Sequence, residues 1–134
     1  VTSGYTLSAL SYVDRINCCD VVVNVPHSGD VEQAILEAQA CNVSLVHTDD
    51  DGIMSEAVGG GGILLPGCDI GTGRCGERIH HVAPSGIADA VASVLLDDQL
   101  RSTLRKAGLD NAARYTWVPL QDAACDITDR ILKR

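Results

Sequence analysis

The stretch that most constrains this chain is Asp20-Val21-Val22-Val23-Asn24-Val25. A short, β-branched apolar run with little polar alternation is the pattern of a strand buried on both faces. Pro26-His27-Ser28-Gly29-Asp30 supplies a turn. Ala34, Ile35, Ala38 and Cys41 then fall on one side of a helix over residues 31–41. Asp30 can cap that helix, with Gln33 three residues on completing a capping box. Val43-Ser44-Leu45-Val46-His47 repeats the buried-strand pattern. A short helix follows over 53–57, and Ile63-Leu64-Leu65 forms a third strand. Strands joined by helices pair in parallel through right-handed crossovers. The expected fold is therefore α/β, a Rossmann-like parallel sheet flanked by helices.

The flanks add helices. Residues 1–3 read as a strand fragment and 7–16 as a helix. Residues 66–84 show little pattern and are expected to be a long loop. From Ser85 on the chain is helical, which gives a helical C-terminal third. Ile87, Val91, Val94 and Leu95 make one stripe. A second helix is expected over 98–107 and a third from near Leu109 to before Thr116. The last starts at Pro119 and carries Ala123, Ile127 and Ile131 at four-residue spacing. At 134 residues the chain is expected to form a single domain, 1–134.

Composition closes off other classes. The hydrophobic fraction of 46% excludes a disordered chain. Phe is absent, so the core must come from Val, Ile, Leu, Ala and Cys. No apolar run is long enough for a transmembrane helix, and no basic-then-apolar start marks a signal peptide. Ten basic residues against 18 acidic ones give a formal charge of -8, which argues against nucleic acid and anionic membranes as partners. The six cysteines have no C-x2-C spacing, and small buried thiols in a reducing cytoplasm are expected.

Taken in order, the motifs resemble a known family. They run Asp20 to Pro26, Leu36-Glu37-Ala38-Gln39-Ala40-Cys41-Asn42, Val43 to Thr48, and Gly52-Ile53-Met54-Ser55-Glu56. Gly62-Ile63-Leu64-Leu65-Pro66, Leu95-Leu96-Asp97-Asp98-Gln99-Leu100-Arg101 and Tyr115-Thr116-Trp117 complete the set. This succession over residues 18–131 resembles the latter part of the C-terminal, donor-binding domain of retaining GT-B glycosyltransferases, the group 1 family. The glycine-rich strand end and the Arg-Lys pair that precede this part in the family are not in the sequence, nor is an acceptor domain.

The resemblance implies a donor site built on an E-x7-E motif. Its second glutamate matches Glu37, which would accept from the ribose hydroxyls. A solvated helix carboxylate is the alternative. Gly29 stands where the first glutamate falls, with Asp30 beside it as a shorter carboxylate or as the helix cap. The family's glycine-rich turn at the distal phosphate reads Asp30-Val31-Glu32 here, which puts two carboxylates beside a phosphate. Glu56 matches a family position with a structural role, and Trp117 a packing residue. Arg74 is a possible anion contact in place of the missing basic pair, or a surface arginine.

Other motifs point elsewhere only weakly. Asp49-Asp50-Asp51 contains a D-x-D but reads better as a turn before a helix. Gly59 to Gly62 lacks the Lys and Ser or Thr of a phosphate loop. His80 and His81 adjoin Arg74 and Arg78 with no ligand spacing for a metal, and no metal site is expected. In such sheets ligands sit at the carboxyl ends of strands, so the loops after Val25 and His47 are the expected site wall. The expectation is a nucleotide-sugar-binding part of a retaining glycosyltransferase, located in the cytoplasm, using no cofactor beyond its nucleotide-sugar donor. No residue qualifies as an independent general base. A non-catalytic relative serving as a binding or assembly module is the alternative, and a generic Rossmann-like nucleotide binder a third reading. The strand over 20–25 would lie at a sheet edge, so a homo-oligomer or a missing N-terminal portion is expected to cover it.

Overall fold

The computed structural model describes residues 9–27, 33–49 and 53–133. Helix α1 spans Ala9–Asn17, strand β1 Val21–Asn24 and helix α2 Gln33–Ala40. Strand β2 spans Ser44–Asp49, helix α3 Ile53–Val58 and strand β3 Gly62–Pro66. β1 and β3 both pair in parallel with β2, in the order β1-β2-β3, with Val22 opposite Leu45 and His47 opposite Leu64. The α/β reading, a small parallel sheet with helices around it, is thus what the chain forms.

β2 is the centre of the sheet, and Ser44 to Thr48 are all buried. Successive side chains alternate between faces. Leu45 packs with Ile16 of α1, Ile35 and Ala38 of α2, and Ala57 and Val58 of α3. Val46 packs the other way, with Leu65 and with Ala90 of α4, which spans Pro84–Leu96. Ile87 and Val91 of α4 join that second cluster, and Val94 is buried as well. Leu95, expected in the same stripe, is exposed. Pro84 begins α4, where its missing N–H costs nothing.

The turn from α2 into β2 is closed by Asn42, held at a φ of 59°. Its N–H donates to the Gln39 carbonyl at 2.9 Å, and that of Val43 to the Ala38 carbonyl at 3.0 Å. This pair of bonds is a Schellman cap, with asparagine as the left-handed residue.

Helix α5 spans Asp98–Ala112, opened by the Asp97 carboxylate, which accepts from the Leu100 N–H at 2.9 Å. The expected break near Leu109 does not occur. Gly108 lies inside α5, buried against Gly61, and a Cβ on Gly61 would stand 2.4 Å from the Gly108 Cα. The glycine serves close approach of helix and turn, not helix termination. Gly59 and Gly60, both at positive φ, form the expected turn before β3. Beside it lies a buried polar junction. Asn111 Nδ2 donates to the Gln39 Oε1 at 2.9 Å and to the Ala57 carbonyl at 2.7 Å, while Gln39 Nε2 donates to the Val58 carbonyl at 2.6 Å.

Two expectations fail at the periphery. Residues 66–84 are not a loop. They contain an antiparallel hairpin of β4 (Cys68–Thr72) and β5 (Arg78–His81), with a register shift between Asp69 and Gly71. Every residue of β4 is exposed, so no buried face imposed a two-residue period on the sequence. The thiols are not buried either. Cys18, Cys19, Cys68, Cys75 and Cys125 are exposed and Cys41 is half-buried, all six free. Cys18 and Cys19 follow the end of α1 and precede β1, so the sheet never covers them.

A 3-10 turn over Ala113–Tyr115 leads into α6, Trp117–Leu132. No residue of α6 is buried. Trp117, expected to pack, is 82% exposed, because the helix that carries it does not lie against the sheet layers. The strand expected over 1–3 lies outside the described residues.

Candidate functional site

The carboxyl ends of β1, β2 and β3 lie along one edge of the sheet, as parallel pairing requires. α2 begins beyond the end of β1, and Glu37 stands about one turn into it. Glu37 is half-buried. Its Oε1 accepts from Gln33 Nε2 at 2.7 Å. It also accepts from the Tyr12 phenol of α1. Burial pushes that phenol above its ordinary range, and the Glu37 charge and hydrogen bond push it further. Glu37 is therefore held between two helices and is not a free solvated carboxylate. A carboxylate offers about four acceptor sites, so lone pairs remain for hydroxyl donors.

Asp30, Val31 and Glu32 lie outside the described residues, and so does the cap expected at Asp30. Arg74 is exposed in the turn of the β4–β5 hairpin. That turn is closed by the Gly73 N–H donating to the Glu77 carbonyl at 2.8 Å and the Cys75 N–H donating to Glu77 Oε2 at 2.8 Å. Among the described residues no hydrogen bond or ion pair joins Arg74 to α2. The hairpin itself does reach the sheet edge. The His80 N–H donates to the His27 carbonyl at 2.6 Å, and His27 Nδ1 donates to the His80 carbonyl at 2.9 Å. The His27 and His81 rings stack at 6.2 Å.

His47 was read in the sequence only as a strand residue. It is fully buried near the carboxyl end of β2. Its Nδ1 donates to the Thr48 carbonyl at 2.7 Å, and its Nε2 has no partner. Next to it, Thr48 Oγ1 donates to the Pro26 carbonyl at 3.3 Å, tying β2 to the segment after β1. Asp49 ends β2 and accepts from Ser55 Oγ of α3 at 2.7 Å, while Asp50 and Asp51 lie outside the described residues. Glu56 is exposed on α3. A single histidine in an apolar strand, and the Tyr12 that meets Glu37 only through tertiary packing, were the residues the sequence did not mark. No group of three or more metal-ligating side chains gathers among the described residues. Among them no helix is long and apolar enough to cross a membrane.

No protein-family model matches the sequence. Over 99 residues, 73% of its length, the chain is 30% identical to a D-inositol 3-phosphate glycosyltransferase of Corynebacterium jeikeium (strain K411). It spans 20% of that protein's length. The chain is thus similar to a segment of a glycosyltransferase, and this supports the glycosyltransferase family for it.

Proposed function

We propose that this chain is the nucleotide-sugar-binding part of a retaining GT-B glycosyltransferase, transferring sugar from an activated donor to a hydroxyl acceptor. The observation that carries the reading is the similarity to a glycosyltransferase over a parallel α/β segment. Glu37 receives the ribose hydroxyls, preset by Tyr12 and Gln33. By the family resemblance, Asp30, Val31 and Glu32 are the proposed contacts to the donor phosphates, and Arg74 a proposed anion contact. Catalysis in such a site is mostly electrostatic, from a polarised leaving diphosphate and an acceptor hydroxyl held close. β1 is an edge strand, and Val23 is 43% exposed on it. A preceding segment of a longer protein, or a second copy of the chain, covers that edge.

The isolated chain should bind nucleoside diphosphates weakly and transfer no sugar by itself. Titration with uridine and guanosine diphosphates and their sugars, followed by NMR, tests this. Shifts centred on Glu37 and lost in Glu37→Gln are expected. Glu32→Gly should strengthen the binding by on the order of 1 kcal/mol, through relief of like-charge repulsion near a surface. Unchanged spectra at high ligand concentration would overturn the donor site and favour a non-catalytic assembly module.

A further inference from the structure

We propose that the groove between α5 and the Asn42 turn is a second ligand site, and that it takes a phosphate group. The groove holds about 460 Å³, and Asn42, Arg101, Ser102, Arg105 and Lys106 line it together with Asp98. Three of the ten basic residues of an acidic chain meet there. Two of them are already engaged. Arg101 donates to the Val94 carbonyl at 3.2 Å and the Leu95 carbonyl at 3.1 Å, and it pairs with Asp98. Lys106 Nζ pairs with Asp110 at 2.7 Å.

Arg105 differs. It is half-buried, its Nε is withdrawn from solvent, and no acceptor meets that nitrogen. No acidic side chain pairs with its guanidinium among the described residues. Leaving a guanidinium N–H unpaired away from water is costly. A planar guanidinium matches the oxygens of a phosphate two at a time. The Ser102 hydroxyl and the Asn42 amide, one on α5 and one across the groove, complete a set of donors. Asp98 is the acidic side chain in the lining, and Arg101 occupies it. Three carbonyls near the end of α2, those of Glu37, Ala38 and Gln39, already accept the N–H groups of Cys41, Val43 and Asn42.

Glu37 stands on α2 only five residues before Asn42, so the two sites are told apart by α5, whose Arg101, Ser102, Arg105 and Lys106 line the groove and take no part in the donor site. The inference therefore uses a different set of side chains from the reading of the donor site.

Inorganic phosphate, titrated into the isotope-labelled full chain at constant ionic strength with sodium chloride as the compensating salt, tests it. The Arg105 Nε–H resonance should move and saturate, together with the Asn42 and Ser102 amides. This readout needs no variant. Arg105→Gln should then weaken binding about tenfold, the loss expected for a charge-assisted bond. Arg105→Lys, which keeps the charge without the fork, should fall between. Glycerol 1-phosphate matching inorganic phosphate would confirm that the groove reads the phosphate group alone, and tighter binding would identify an ester as the ligand. Shifts that rise linearly without saturating, shifts that chloride reproduces, or equal affinity in Arg105→Gln would each overturn the proposal. Saturable shifts centred on Glu37 with the Arg105 Nε–H unmoved would do so too, and would leave the donor-site reading standing.

Discussion

Ser44 to Thr48 of β2 are all buried, whereas the sixteen residues of α6 all lie in contact with solvent. The contrast does not follow hydrophobicity. β2 buries Ser44, His47 and Thr48, while α6 exposes Trp117, Ile127 and Ile131. Place in the topology decides. A central parallel strand is covered by helices on both faces whatever its residues, and here that leaves Ser44 Oγ and His47 Nε2 buried without a partner while Thr48 Oγ1 reaches the Pro26 carbonyl. A terminal helix with no layer against it keeps its apolar stripe in water.

The two regions should respond very differently to truncation. Leu45→Ala removes a fully buried side chain at the meeting point of α1, α2 and α3 and should cost about 3 kcal/mol in urea denaturation. A cost below about 1 kcal/mol would place the core elsewhere. Asn111→Ala should cost about 2 kcal/mol, since it leaves the Gln39 Oε1 and the Ala57 carbonyl buried and one donor short. Asn111→Asp, which loses the donating amide, should be no better.

Ile127→Ser on α6 is expected to shift stability by less than about 0.5 kcal/mol. A larger loss that fades on dilution would show that α6 is covered by association in solution. The smallest effect belongs to the α1–α2 seam, between the two extremes. The folded Tyr12 phenol titrates above its unfolded value. Its contribution is complete below the ordinary tyrosine range, near pH 10, and is lost as pH rises through the raised folded value. Tyr12→Phe should flatten that alkaline fall and leave the neutral-pH Tm nearly unchanged. An unaltered alkaline limb would remove Tyr12 from the Glu37 seat.

The same contrast explains what could be read from the sequence. The three parallel strands were legible from their apolar runs, but only β2 is buried on both faces; β1 carries the same run at an edge, with Val23 exposed. The β4–β5 hairpin was not legible, because β4 is exposed throughout and leaves composition unconstrained. The break expected between 107 and 109 did not form, because local propensity cannot register Gly61 packed against Gly108 from another element. In the site, Glu37 was marked only through a family resemblance. Its seat between Tyr12 and Gln33 depends on the docking of α1 against α2, which no local pattern records. The exposed thiols were misjudged for a related reason. Cysteine is apolar on average, but Cys18 and Cys19 sit between elements, where no layer covers them.

The two hydrogen bonds between His27 and His80, one between peptide groups and one from the His27 imidazole, have a kinetic consequence. Fifty-three residues separate the two histidines. Closing a flexible loop of that length costs about 3.5 kcal/mol in chain entropy beyond the constant term. The β4–β5 hairpin needs no such closure, since its strands are neighbours in the chain and hairpins form in about 1–10 μs. One peptide hydrogen bond, one imidazole hydrogen bond and a ring stack cannot recover the closure cost before β1, β2 and β3 have drawn the ends together. The junction is therefore a late event in folding. In the folded protein it can open without breaching the central sheet, on a timescale separate from global unfolding.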